Sequence, residues 1–403
     1  MPHWYYIEGN KQHGPVEHDA LCDLAAQGRV RAATRVWRAG LSDWIPAAEV
    51  AELRPFLVQQ AAQAPGPAKD TVSRVSEVVG GWVGTDQVES KHVEGLFSEV
   101  LKRHSDEELE RVFAAGLSTT TPSLESIDIQ TPTPWVFSRL LVFFGIAFAA
   151  LAIAWYEIEG SDRVIPGLIL IGSFASPLAA AVFLYECNTT RNISLFVFAR
   201  LFVWGGVLSI LLALALFPMV STMTEIVGPS IAGLVEEPAK LAAVVLLANA
   251  ARYRWTLNGM CLGAAVGAGF AAFESAGYAL EAGLDGGSDN LMHSLAIRGL
   301  LAPFGHVVWT AICAGALWRV RRGAPFDWDM LKDRRCLSPI VASMLLHAVW
   351  NSPLPAKLPL YSGYFALGAV AWIIAIGMML GAIREIRDEK SGLHAARDGV
   401  QAA

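Results

Sequence analysis

The sequence predicts an all-α polytopic membrane domain of about eight transmembrane helices, preceded by a small soluble α+β domain. Three observations carry that prediction. Hydrophobic residues make up 54% of the 403 residues and charged ones only 17%, against about 25% in soluble domains. The polarity is unevenly spread: residues 1 to about 133 are ordinarily polar, whereas from Trp135 onward apolar stretches follow one another, each long enough to cross a hydrocarbon core of about 30 Å. Residues 3 to 55 instead show short aromatic runs, turn signals and one helical period.

Other classes are excluded by charge and cysteine usage. A net charge of -6 gives no electrostatic reason to expect a nucleic acid partner. The five cysteines, at 22, 187, 261, 313 and 336, form no C-x-x-C pair, so neither a disulfide framework nor a thiolate zinc cage is expected. No basic segment followed by a short apolar run and a cleavage site opens the chain, so the N-terminal part is expected to stay in the cytosol.

In chain order, residues 1–57 read as the soluble domain. Trp4-Tyr5-Tyr6 and Val36-Trp37 are strand-like, Gly14-Pro15 is a turn, and Leu21, Leu24 and Ala25 mark a helix closed by Gly28. Trp4, Tyr6 and Trp37 are the candidate partner contacts. Residues 58–133 form a linker with amphipathic helices: a Gln/Ala/Pro/Gly run over 59–72, then Val93, Leu96, Phe97, Val100 and Leu101 at helical spacing. Ser105-Asp106-Glu107-Glu108 follows as a capping box that starts a second helix through Leu109, Val112 and Phe113.

Residues 134–385 are the membrane domain, and 386–403 a cytoplasmic tail. The apolar stretches cover about 135–156, 164–186, 193–219, 226–250, 257–280, 293–318, 338–353 and 358–383. Basic residues concentrate in alternate connections: Arg252 and Arg254; Arg319, Arg321, Arg322, Lys332, Arg334 and Arg335; Arg384, Arg387 and Lys390. Because lysine and arginine are retained on the cytoplasmic side, both termini are expected there.

Four stretches carry polar residues, and a charged side chain among them is disfavoured at mid-membrane by about 2.5 to 3.5 kcal/mol on insertion scales. Glu236-Glu237-Pro238-Ala239-Lys240 lies near the bilayer midplane in the fourth; Phe273-Glu274 and Tyr278 are in the fifth, His306, Trp309 and Thr310 in the sixth, His347, Trp350 and Asn351 in the seventh. Alternating helix directions let them share one layer. Two imidazoles and a carboxylate suit a three-ligand metal site with an open position for water. A further carboxylate can accept that water's proton, and Asn351 or His347 can donate to an oxyanion.

Two resemblances follow from these residues. Trp4-Tyr5-Tyr6, Gly9, Gly14-Pro15, Leu21, Leu24, Gly28, Thr34, Val36-Trp37, Gly40 and Trp44 resemble the GYF-like domain found at the N-termini of many bacterial membrane proteins, which implies a peptide or protein partner. Glu-Glu-x-x-Lys at 236–240, Phe-Glu-x-x-x-Tyr at 273–278, His-x-x-Trp-Thr at 306–310 and His-x-x-Trp-Asn at 347–351 resemble the motifs of PrsW-type intramembrane proteases, distant relatives of the CAAX prenyl proteases. That second likeness implies a metallo-endopeptidase of the bacterial cytoplasmic membrane that cuts a membrane-anchored protein. By resemblance Glu236 or Glu237 activates water, Asn351 assists catalysis, and Glu274, His306 and His347 hold a zinc ion. A metal-free version, with a Glu-activated water and His347 and Asn351 as oxyanion donors, stays open at this point. So do two readings from other classes: a proton or metal transporter, and a non-catalytic adaptor that recruits a partner through its soluble domain.

Overall fold

The computed structural model describes residues 3–8, 11–41, 43–57, 70–158 and 161–401. The chain divides into two compact units, residues 1–69 and 70–403.

The first unit is an antiparallel sheet of strands β1 (Trp4–Glu8), β2 (Lys11–Val16), β3 (Arg35–Arg38) and β4 (Ile45–Pro46), in the order β2-β1-β3-β4, with helix α1 (His18–Ala26) packed on one face. Leu21, Ala25, Val30, Val36 and Leu53 fill its core. Gly14-Pro15, expected as a turn, lies inside β2 instead. At Gly14 the backbone φ is +126°, and a Cβ would stand 2.6 Å from the Trp4 carbonyl oxygen, so only glycine fits. Strand alternation corrects the expected partner contacts. Trp4 and Tyr6 point inward and are buried, whereas Tyr5 lies on the opposite face, in ring contact with Trp37, which in turn meets Trp44. The half-exposed aromatics are therefore Tyr5, Trp37 and Trp44.

The second unit opens with three short helices, α2 (Thr71–Val83), α3 (Ser90–Leu96) and α4 (Asp106–Phe113). The capping box at Ser105 is present, with Ser105 Oγ accepting from the Glu108 amide and the Glu108 carboxylate accepting from the Ser105 amide. α3 stops at Leu96 rather than continuing to Leu101, and α2 forms where no helix was expected. Most of the Gln/Ala/Pro/Gly run lies outside the described residues.

Apolar helices follow: α5 (Val136–Glu157), α6 (Ile165–Glu186), α7 (Leu195–Arg200) and α8 (Gly206–Leu216) joined by a π-helical turn at Leu201–Gly205, the short α9 (Ser221–Val227), α10 (Ala232–Ala248), α11 (Thr256–Leu301), α12 (His306–Arg321), α13 (Arg334–Trp350) and α14 (Ser362–Gln401). Each of the eight expected apolar stretches falls on helix. Among the described residues, five helical segments can cross a membrane by length and composition: Val136–Glu157, Asp162–Glu186, Leu195–Ala248, Thr256–Arg321 and Pro359–Gly392. The third and fourth far exceed the roughly 20 residues a crossing needs and double back, α10 packing on α8 and α12 on α11. α13, with 17 residues, falls just short of that length. α14 runs on to Gln401, through the residues expected as a tail.

One tie at the start of the membrane domain carries a prediction. The Glu186 carboxylate, at the end of α6, accepts from the amides of Trp135, Val136 and Phe137, each at 2.9 Å, and so satisfies the open first turn of α5. Glu186→Ala is expected to lower stability by about 2 to 4 kcal/mol, read as an earlier thermal unfolding midpoint in detergent, because charge-assisted bonds are lost and half-buried donors go unpaired.

Candidate metal centre and active site

Three local features bring the polar residues together. α11 turns sharply at Gly287 (φ +76°), so that its later part returns along the earlier one and Arg298 meets Glu274 and Ser275. That returning segment then breaks: a 3-10 turn at Ala302–Phe304 and a non-helical Gly305 (φ −114°, ψ −127°) separate it from α12. The sixth apolar stretch is thus a broken helix, and His306 stands in the first turn of its second half rather than in the middle of a continuous one. Pro303 and Gly305 supply the physical cause, and open backbone is tolerated at this depth because Ala302 and Gly305 line a cavity rather than face lipid.

The third feature is a stripe of glycines. Gly259, Gly263 and Gly267 sit one turn apart on α11, where an added Cβ would lie 2.5 Å or less from Trp318 Cβ, the Thr310 carbonyl and the His306 carbonyl respectively. Only their bare backbones let α12 approach closely enough to present His306.

The six residues expected at the site converge. Glu236 Oε2 lies 3.9 Å from His306 Nδ1 and 3.7 Å from His347 Nε2, and the ligand atoms of these three residues all fall within 4.8 Å of one another. Each imidazole uses its other nitrogen on a carboxylate. His347 Nδ1 donates to Glu237 Oε1 at 2.9 Å, and His306 Nε2 to Glu274 Oε2 at 3.1 Å. That pattern fixes both tautomers and turns the remaining lone pairs toward Glu236, the arrangement common behind metal-bound histidines. His347 is further fixed by stacking on Trp309, ring centroids 4.5 Å apart.

The trio that can share one ion is therefore Glu236, His306 and His347. Glu274, expected as a ligand, stands behind His306 and is held by Arg298 Nη2 at 2.5 Å. Glu237 stands behind His347 and is bridged to Lys240 Nζ at 2.6 Å. Lys240 Nζ also donates to His306 Nδ1 at 2.8 Å, and Asn351 Nδ2 to His347 Nε2 at 3.2 Å, so donors cover the two imidazole lone pairs. Glu236 Oε2, in contrast, is buried without a hydrogen-bond partner. A buried, unsatisfied carboxylate oxygen facing two correctly oriented imidazoles fits a bound divalent cation.

Part of this cluster lines a cavity of about 750 Å³, to which Glu236, Glu274, Arg298, His306 and Asn351 contribute polar groups and Phe217, Tyr278, Trp350 and Tyr364 aromatic surface. Residues 194–380 match the model of a family described as PrsW family intramembrane metalloprotease. Over that range the membrane domain is similar to the PrsW family. The PrsW match runs from the start of α7 into α14 and contains every residue of the polar cluster; α5 and α6 precede it. In front of the PrsW match, residues 4–53 match GYF domain 2, a protein-interaction domain. No curated protein and no solved structure matches the chain.

The sequence signalled all six residues but not two of their partners' roles. The pairing of Arg298 with Glu274 depends on the reversal at Gly287. The contact of Lys240 with His306 likewise depends on how α10 and α12 pack.

Proposed function

We propose that this protein is an intramembrane metallo-endopeptidase that cuts a membrane-anchored protein, with Glu236, His306 and His347 as the ligands of a divalent ion, zinc being the best chemical match to one carboxylate and two imidazoles. The observation that carries the reading is the convergence of those three ligand atoms within 4.8 Å, two of the residues, Glu236 and His306, lining a large cavity inside an apolar helical domain.

When bound, the ion supplies a Lewis acid and lowers the pKa of water, which makes hydrolysis feasible at neutral pH. The protein's own groups do the rest. Glu237 and Glu274 hold the imidazoles in the tautomers that leave His347 Nε2 and His306 Nδ1 as acceptors, and the ion would take the place of the Asn351 and Lys240 donors there. With Glu236 engaged as a ligand, Glu274 is the remaining carboxylate on the cavity wall and takes the proton of the attacking water, while Arg298 keeps it in place. The Asn351 amide, no longer needed at His347, donates to the oxygen of the scissile carbonyl. Phe217, Tyr278, Trp350 and Tyr364 bind apolar side chains of the substrate and keep bulk water out.

The cavity is lined by the end of α8, by α9 and by the connection after α13, whereas the basic residues flank the opposite helix ends. With basic segments in the cytoplasm, both termini and the GYF-like domain are cytoplasmic, and the cut falls toward the outer half of a bacterial inner membrane. The Tyr5, Trp37 and Trp44 surface then offers a protein partner a cytoplasmic docking point.

The test uses the full chain reconstituted in liposomes with a membrane-anchored reporter. Cleavage is expected to stop on chelation and to return with added zinc. A preparation that retains stoichiometric metal yet leaves a range of membrane-anchored reporters intact, while passing ions across the bilayer, would replace the protease with a transporter.

A further inference from the structure

α2 leaves two large apolar side chains uncovered. Its inner side packs through Val72, Ser73, Ser76, Val79, Gly80 and Val83, Ser73 and Ser76 being 5% and 1% exposed and Gly80 lying beside Thr85. On the outer side, which also carries Arg74 and Glu77, Val78 is 75% and Trp82 50% exposed. Apolar area gains most from leaving water, so an exposed Val and Trp on one helix call for a cover.

The contacts of this segment fix its level. α2 packs against α13 and α14. Gly84, which ends α2 in a left-handed conformation, has its carbonyl held by Arg319 Nη1 of the last turn of α12 at 2.7 Å. Asp86 pairs with Arg384 of α14 at 2.9 Å, and its backbone lies so close to Gly377 that a Cβ there would be 2.6 Å away. A second stretch reaches the same level from another side. Phe97 packs its ring against Phe137 in the first turn of α5 and Phe183 in the last turn of α6, and Arg139 of α5 donates to the Lys102 carbonyl at 2.6 Å. Next to it, Leu101 is 94% exposed.

We propose that α2 and the turn at 97–102 form a collar embedded in the interfacial layer of one leaflet, with Val78, Trp82, Phe97 and Leu101 inserted among acyl chains. Continuity names the occupant as lipid. Leu141, Val142 and Phe143 of α5, one to two turns beyond Phe137, are exposed apolar residues on a membrane-spanning helix, and Leu337 of α13 is exposed in the same way. The flanking residues Lys102, Arg139, Arg319 and Arg384 sit where phosphate headgroups would meet them, and Trp82 has the amphipathic ring favoured at that depth. The segment read from sequence as a cytosolic linker thereby becomes part of the membrane domain, whatever reaction the cavity performs.

The test is site-directed labelling of the full chain in liposomes. All five native cysteines are buried, so a cysteine introduced at Val78, Leu101 or, as a control, the exposed Lys91 takes an environment-sensitive fluorophore selectively. Labels at 78 and 101 are expected to emit further to the blue than the label at 91 and to lose roughly twofold more intensity to a nitroxide carried high on a lipid acyl chain. If either label is quenched by aqueous iodide as strongly as the one at Lys91 and is insensitive to the lipid nitroxide, the face is turned to water or to a protein partner and the proposal fails. Both positions are largely exposed, so the substitutions leave the packed faces intact.

Discussion

The double variant His306→Ala/His347→Ala is expected to lose the bound metal and all measurable cleavage, while Glu237→Gln keeps the metal weakly and loses about 10- to 100-fold in metal affinity or rate. The difference follows from where the carboxylates stand. His306 and His347 present their free nitrogens to Glu236 Oε2, so removing both leaves one carboxylate, too few donors for a stable site. Glu237 touches no position where an ion would be shared. Its Oε1 accepts from His347 Nδ1 at 2.9 Å, and an amide there still accepts one hydrogen bond but no longer favours the same tautomer so strongly. Metal content by elemental analysis, set beside reporter cleavage, reads both effects. A Glu237→Gln protein as inactive and metal-free as the double alanine variant would move Glu237 into the ligand set.

Gly267→Ala is expected to cost about 100-fold in cleavage, because misplacing a reacting group by about 1 Å is enough for a loss of that size. The added methyl would lie 2.4 Å from the His306 carbonyl oxygen and 2.8 Å from Thr310 Oγ1. Neither is the end of a flexible side chain able to swing aside, so α12 must move away from α11 and take His306 with it. Overpacking of this kind also destabilises, by about 1 to 3 kcal/mol, and thermal unfolding of the purified protein reads that change. Gly145→Ala on α5 is the matched control, since no atom lies within 4 Å of its added Cβ. Wild-type cleavage by the Gly267 variant would show that the close approach of α11 and α12 does not set the position of His306.

Much of the site was legible because lipid makes polar residues conspicuous. Glu236, Glu237, Glu274, His306, His347 and Asn351 stand in stretches otherwise apolar, and their order on successive helices is enough to suggest a common layer. The division of labour among them was not legible. Which carboxylate faces a lone pair and which stands behind an imidazole depends on helix rotation, and in this chain on the reversal at Gly287 and the break at Gly305. The same limit explains the soluble domain. Its aromatic strands are visible in Trp4-Tyr5-Tyr6, but a one-residue shift in strand phase exchanges core for surface, and the pairing of β1 with β3 decides that Tyr5 and Trp37 are the ones in reach of a partner.

The sequence by itself determined that this chain enters a membrane, that a small α+β domain precedes the membrane part, and that acidic groups and imidazoles lie at one depth. Those facts follow from hydropathy and spacing, which are properties of the chain read locally. Only the tertiary structure decided that Glu236 is the carboxylate able to share an ion with the two histidines, that Glu237 and Glu274 stand behind them, and that α2 leaves Val78 and Trp82 exposed. Each of these depends on which side of a helix meets which neighbour, and that is fixed by close approaches such as Gly267 on His306 and Asp86 on Gly377, between residues far apart in the chain.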